Sequence, residues 1–213
     1  MKIPILSING SDSTGQSGIG ADIQTIAALG GYAVTAITCA GDYALPSNVV
    51  VEQTASVIES VHPKAIKVGL VTDGETVQRL RDEVIACRRL VVAPGIFDAE
   101  GKQMIGDDVV KAIARHLVPE ALLLMLRCRD AEKMLGISIK TDDDMLEAAR
   151  LVGFSINDLR VDEVVGIANG SGNVVAHAEP RGDGSRESCC HAMPLPAINV
   201  VGGEKRRPYP SSP

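Results

Sequence analysis

Residues 3–22 read IPILSINGSDSTGQSGIGAD. An apolar run, Ile3–Ile8, gives way to glycine and small polar residues and then, from Ile19, to helical spacing, so the segment reads as strand, loop and helix. The rest of the chain repeats this alternation. Short apolar strand candidates are Ile3–Ile8, Val34–Cys39, Ala65–Val68, Leu90–Ala93 and Ala121–Leu126, continuous enough to be buried on both faces. Amphipathic stretches lie between and after them: Ile19–Leu29, Val50–Val61, Glu75–Ile85, Asp108–Leu117, Ala131–Leu135 and Asp142–Val152. Alternation of this kind predicts an α/β fold built from βαβ units around a mainly parallel sheet. Ligands of such sheets sit at the carboxyl ends of the strands, where residues 9–18 fall.

Composition narrows the function classes. A chain of 213 residues that is 45% hydrophobic supports one sizeable core and a single α/β domain. A net charge of −6, with Lys and Arg scattered, argues against nucleic acid as a partner and for a small molecule. No apolar run approaches the ~20 residues of a membrane span, and the N-terminus lacks a signal-peptide pattern, so no membrane partner and a cytoplasmic location are expected. Five cysteines without a CxxC pair fit reduced thiols. Beyond Gly153 the character changes: residues 181–188 have loop composition and prolines interrupt 204–213. Residues 153–213 are therefore expected to be a degenerate continuation of the same domain as 1–152, with a poorly ordered tail from about 181.

Gly10-Ser11-Asp12-Ser13-Thr14-Gly15-Gln16-Ser17 has the glycine spacing of a phosphate-binding P-loop, but Gln16 replaces the lysine that reaches the phosphates. A dinucleotide fingerprint fails at Ile23, which stands at the third glycine position. In the helix that follows, Ile19, Ile23 and Ile26 are expected on one buried face, with Asp22 on its inward edge. Two roles for Asp22 stay open: complementing the helix dipole, or, with Asp12, accepting hydrogen bonds from a polar ring.

The segment from Ser7 to Asp22, continuing through Gln24-Thr25 to Ala28-Leu29-Gly30-Gly31-Tyr32, resembles the N-terminal signature of hydroxymethylpyrimidine/phosphomethylpyrimidine kinases, ribokinase-like enzymes of thiamine biosynthesis. Lys67-Val68-Gly69-Leu70 resembles that family's K-[IV]-G-M segment, and Asp130–Gly136 its E-A-E-x-L-x-G helix start. The resemblance covers roughly residues 3–152. It implies a ribokinase-like three-layer sandwich with a mainly parallel central sheet and an incomplete C-terminal portion. It also implies ATP and Mg2+ as cofactors, and a pyrimidine pocket that carries over onto Gly10, Asp12, Asp22 and Leu70. A homodimer is left open.

Departures from the family pattern bear on the chemistry. Cys39–Asn48 is short and holds no glutamine to contact the pyrimidine. The D-P-V-M stretch becomes Ala93-Pro94-Gly95-Ile96, and N-x-x-E becomes Arg127-Cys128-Arg129-Asp130. Asp130 could order a water on magnesium. Arg127 or Arg129 could pair phosphate oxygens, or be ordinary surface arginines. The G-x-G-[CD] turn of the family is met only by Gly202-Gly203, glycines able to form an anion nest but with no base after them. No catalytic base is identified. The expected function is ATP-dependent phosphorylation of 4-amino-5-hydroxymethyl-2-methylpyrimidine and its monophosphate; the alternative is a non-catalytic pyrimidine-binding or vestigial protein.

Other motifs carry less. His177-Ala178-Glu179 resembles the H-x-E of zinc deaminases, but Cys189 and Cys190 are adjacent rather than spaced for tetrahedral ligation. His62 and His116 fall at a loop and a helix end. Thr141 followed by Asp142-Asp143-Asp144 reads as a capped helix N-terminus.

Overall fold

The structure is a computed structural model and describes residues 2–87, 89–98, 100–155 and 173–177. Seven strands form one sheet: β1 (Pro4–Ser11), β2 (Tyr32–Ala40), β3 (Tyr43–Ala44), β4 (Ala65–Val68), β5 (Leu90–Val92), β6 (Leu123–Arg127) and β7 (Asn173–His177). Six helices connect them: α1 (Gly18–Ala28), α2 (Ser47–Val61), α3 (Gly74–Val84), α4 (Asp107–His116), α5 (Cys128–Leu135) and α6 (Asp142–Ser155). Their order across the sheet is β3-β2-β1-β4-β5-β6-β7. The pairs β1–β2, β1–β4, β4–β5 and β5–β6 are parallel, and the two edge pairs β2–β3 and β6–β7 are antiparallel. All five expected strands and all six expected helices are present, in a ribokinase-like, mainly parallel α/β sheet.

Alternate residues of β1 face opposite sides of the sheet. Leu6 and Ile8, fully buried, join an apolar cluster with Val50 of α2, Val77 and Leu80 of α3, and Val109 and Ile113 of α4. Each such side chain contributes roughly 1.5–3 kcal/mol on burial. Ser7 points the other way, to α1. The chain leaves β1 toward β2 in one direction and returns past β1 to β4 in the other, so right-handed crossovers put α1 and α2 on opposite faces. The reversal makes the carboxyl ends of β1 and β4 the switch point where open α/β sheets bind ligands.

Local sequence explains the helix starts. Asp73 caps α3 by accepting from the Thr76 amide at 2.8 Å. The expected cap of α6 is a reciprocal box: the Asp144 amide donates to Thr141 Oγ1 at 3.1 Å while Asp144 Oδ2 accepts from the Thr141 amide at 2.9 Å. His116 closes the last turn of α4, and His62 ends α2 in the left-handed region at φ 51°.

One expectation is corrected. Ile23 is 42% exposed, whereas Ile19 and Ile26 are buried. Asp22 takes the inward position between them because its partners lie under the helix. Beyond Gly153 lies β7, which pairs with β6 from Leu123↔His177 to Arg127↔Asn173. Gly202, Gly203, the expected tail from 181, Cys189, Cys190 and the Ala178-Glu179 half of the deaminase-like motif lie outside the described residues. No helix among the described residues is long and apolar enough to cross a membrane.

Candidate functional site

At the switch point three of the sequence-derived positions meet. Gly10 ends the buried part of β1 and has no side chain where Cys39 and Leu70 converge: a Cβ there would lie 2.7 Å from Cys39 Sγ and 3.2 Å from Leu70 Cδ2. Leu70 is held in place by its carbonyl, which accepts from Thr38 Oγ1 at 2.6 Å. Burial pushes the Cys39 thiol pKa up, so it is a neutral apolar wall rather than a nucleophile.

Asp22 projects from α1 onto the same strand ends. Its Oδ2 accepts from Ser7 Oγ at 2.6 Å and from Asn9 Nδ2 at 3.0 Å, and its Oδ1 pairs with Lys67 Nζ. The carboxylate remains 12% exposed. The donors it accepts from here are the protein's own Ser7, Asn9 and Lys67. Asn9 joins the parts: its Oδ1 accepts from the Gly10 amide at 2.9 Å and the Leu70 amide at 2.8 Å. Asn9, Ser7, Cys39 and the charge of Lys67 escaped the sequence reading. Ser7 and Asn9 carried a signal as part of the quoted N-terminal signature and Lys67 as part of a second quoted motif, whereas Cys39 carried none.

Asp12 organises its own loop. It stands in the loop between β1 and α1 and accepts from the Thr14 amide at 2.9 Å, the Ser17 amide at 3.0 Å and both hydroxyls. Amides that a P-loop would aim at phosphate are aimed here at the loop's own carboxylate. These bonds, that of the Thr14 amide foremost, lower the Asp12 pKa to about 2. Gly18 closes the loop at φ +60°, where a side chain would be strained and would strike the Gly10 carbonyl.

Gln53, on α2, does not reach this site. Its Oε1 accepts from the Ile37 amide at 3.1 Å and its Nε2 donates to the Ile37 carbonyl at 3.2 Å, satisfying the rim of β2.

At the end of β6, the RCRD stretch folds back on the segment after β5. Asp130 is 2% exposed. Its Oδ1 accepts from the Phe97 amide at 3.1 Å and its Oδ2 from Arg127 Nε at 3.0 Å. Arg127 also donates to the carbonyls of Phe97 and Asp98. The turn it grips is closed by its own bonds, Met104 amide to Ile96 carbonyl at 2.7 Å and Asp98 amide to Lys102 carbonyl at 2.9 Å. Each oxygen of Asp130 thus holds one bond of a latch, in a carboxylate shut off from solvent, and the expected metal role does not fit this arrangement. No cluster of three His, Cys, Asp or Glu able to hold a metal occurs among the described residues. Arg129 alone of the two arginines is exposed, its guanidinium 4.5 Å from the Phe97 ring centroid and lying over Gly101.

The family model for phosphomethylpyrimidine kinase matches residues 12–165. A hydroxymethylpyrimidine/phosphomethylpyrimidine kinase of Rhizobium meliloti is 33% identical over 148 residues, 65% of this chain and 56% of that protein. The thiamine biosynthesis bifunctional protein ThiED of Geobacter sulfurreducens is 30% identical over 157 residues, 68% of this chain and 32% of that protein. The chain thus spans about a third to a little over half the length of these relatives. The crystal structure of a phosphomethylpyrimidine kinase from Clostridium difficile superposes with a TM-score of 0.65 at 29% identity, covering 71% of this chain and 70% of that one. A pyridoxal kinase from Staphylococcus aureus, solved with AMP-PCP, shares the fold at a TM-score of 0.64 and 24% identity, covering 72% and 60%. With the family model covering well over half of its residues, the chain belongs to the phosphomethylpyrimidine kinase family.

Proposed function

We propose that the chain binds 4-amino-5-hydroxymethyl-2-methylpyrimidine or its monophosphate at the switch point and serves ATP-dependent phosphoryl transfer to the alcohol or its phosphate. The observation that carries this is the convergence of Gly10, Leu70 and Asp22 on one pocket at the strand ends, held together by Asn9. Asp22 accepts a hydrogen from the ligand's amino or hydroxyl group, while Gly10, Cys39 and Leu70 supply a flat apolar wall for the ring. The relatives' names support the substrate class. Residues 1–152 form the ribokinase-like core in this proposal and 153–213 continue the same domain, in a cytoplasmic protein.

The protein's contribution to such a transfer is positioning and charge stabilisation. Arg129, exposed beside the end of β6, is the described residue we assign to phosphate oxygens. Arg127 donates inward from Nε and both terminal nitrogens, which leaves it the weaker candidate. Magnesium is expected of a kinase, but no step is routed through it here because Asp130 is committed to the latch.

That same latch favours a second reading, a pyrimidine-binding protein without turnover. A coupled ATP-turnover assay with the pyrimidine alcohol separates the two: turnover that depends on the alcohol supports the kinase, and saturable binding without turnover supports the binding protein.

A further inference from the structure

The side-chain amide of Asn9 is oriented by its surroundings without ambiguity. Its Oδ1 faces two backbone donors, the amides of Gly10 and Leu70, and its Nδ2 faces an acceptor, Asp22 Oδ2. Turning the amide over would set donor against donor twice and acceptor against carboxylate once. The plane of the amide lies against Gly69, where a Cβ would come within 2.5 Å of both its Oδ1 and Nδ2. The side chain is buried and both its oxygen and its nitrogen are bonded, so it holds one position.

This has two chemical consequences for the pocket. The Gly10 and Leu70 amides, which would otherwise be free to donate to a ligand, are used up inside the protein. Asp22 has about four acceptor directions, and Ser7, Asn9 and Lys67 take three. A ligand meets a fixed carboxylate edge with one acceptor direction left.

We infer that Asn9 is the positioning residue of this pocket: by donating to Asp22 while holding Gly10 and Leu70, it keeps the carboxylate aimed so that a ligand is recognised through one donated hydrogen. The inference rests on the pyrimidine reading only for the identity of that ligand. The charged or titratable groups packed around Asn9 are Asp22 from α1 and Lys67 from β4, with the neutral Cys39 thiol of β2 beyond Gly10.

The discriminating variant is Asn9→Asp, which keeps the shape over Gly69 and the acceptor for the Gly10 and Leu70 amides. It replaces the donor to Asp22 with a second carboxylate about 3 Å away, and Lys67 supplies one positive charge against two negative. Carboxyl titration by NMR should then show one of the pair titrating about one pH unit or more above Asp22 in the parent. Binding of the pyrimidine alcohol by the variant should weaken as pH rises through that value, because two anions side by side repel one another and push Asp22 off the position that Asn9 held. The upward titration follows from any carboxylate placed there, so the affinity decides: a merely structural Asn9 predicts an affinity that does not follow the titration, and that result overturns the inference. The Asn9 side-chain amide protons of the parent are also compared with those of Asp22→Asn. A clear shift supports the bond and no shift overturns it. Failure of the parent to bind the alcohol rejects the pyrimidine reading, while the amide comparison still decides whether Asn9 holds Asp22.

Discussion

Asn9 occupies the volume that a side chain at residue 69 would need. The two residues stand side by side on β1 and just past β4, and the Gly69 amide donates to the Ile8 carbonyl at 2.8 Å, which fixes the backbone there. Gly69→Ala should therefore force the Asn9 amide away from its three partners, Gly10, Leu70 and Asp22, and destabilise the fold by about 1–3 kcal/mol, the usual cost of overpacking. Gly95→Ala, whose nearest contact is Leu70 Cδ1 at 4.0 Å, should change stability far less. Urea unfolding of the two variants measures the difference; equal stabilities would mean that the amide is free to move aside.

Asp12 makes the loop between β1 and α1 pH-dependent. Its folded pKa of about 2 lies below the ordinary 3.8, so the unfolded loop binds the proton more readily. The stabilisation is present above about pH 4 and is lost as pH falls toward 2. Exchange protection of the Thr14 and Ser17 amides should follow that window, and Asp12→Ala should abolish both the protection and its pH dependence. Protection that survives in the variant would show that Asp12 does not organise the loop.

Much of this fold is written in periodicity, because doubly buried strands and amphipathic helices each leave a local pattern. The edge strands were not legible for the same reason: β3 has two residues, too few for any period, and β7 lies in a stretch of mixed loop composition. Ile23 was placed inward because spacing on a helix ranks isoleucine above aspartate, whereas the actual inward position belongs to Asp22, drawn by Ser7, Asn9 and Lys67. Those partners lie 15, 13 and 45 residues away. Asn9 reaches Leu70 across 61 residues, and no local signal reports such a bond. The Arg127–Asp130 pair had a local signal, three residues' spacing at a helix start, but its purchase on Phe97 came only with the β5–β6 neighbourhood.

The latch at the end of β6 predicts a local response. Asp130→Ala leaves the Phe97 amide and Arg127 Nε without their partner, each a loss of about 1–3 kcal/mol if the group stays buried. Hydrogen exchange at Phe97, Asp98 and Met104 should quicken, and cleavage after Lys102 by trypsin should become faster than in the parent. Unchanged exchange would mean that the turn holds itself without Asp130.

The two arginines should separate cleanly. Arg129→Ala is expected to weaken binding of the phosphorylated pyrimidine by about 1.5 kcal/mol, the lower end for a bond to a charged group given its exposure, and to spare the alcohol. Arg127→Ala should lower stability and affect both ligands alike. Calorimetry with the alcohol and its monophosphate compares them; an equal loss for both ligands in Arg129→Ala would remove its phosphate role.

The most direct measurement is calorimetric titration of the chain and of Asp22→Asn with 4-amino-5-hydroxymethyl-2-methylpyrimidine, after melting curves establish that both are folded. Saturable binding by the parent and an affinity lower by about 1.5–3 kcal/mol in the variant are predicted, since a hydrogen bond to a charged acceptor becomes one to a neutral amide. Equal affinity in the two folded proteins, or no binding by the parent, would contradict a pyrimidine pocket built on Asp22.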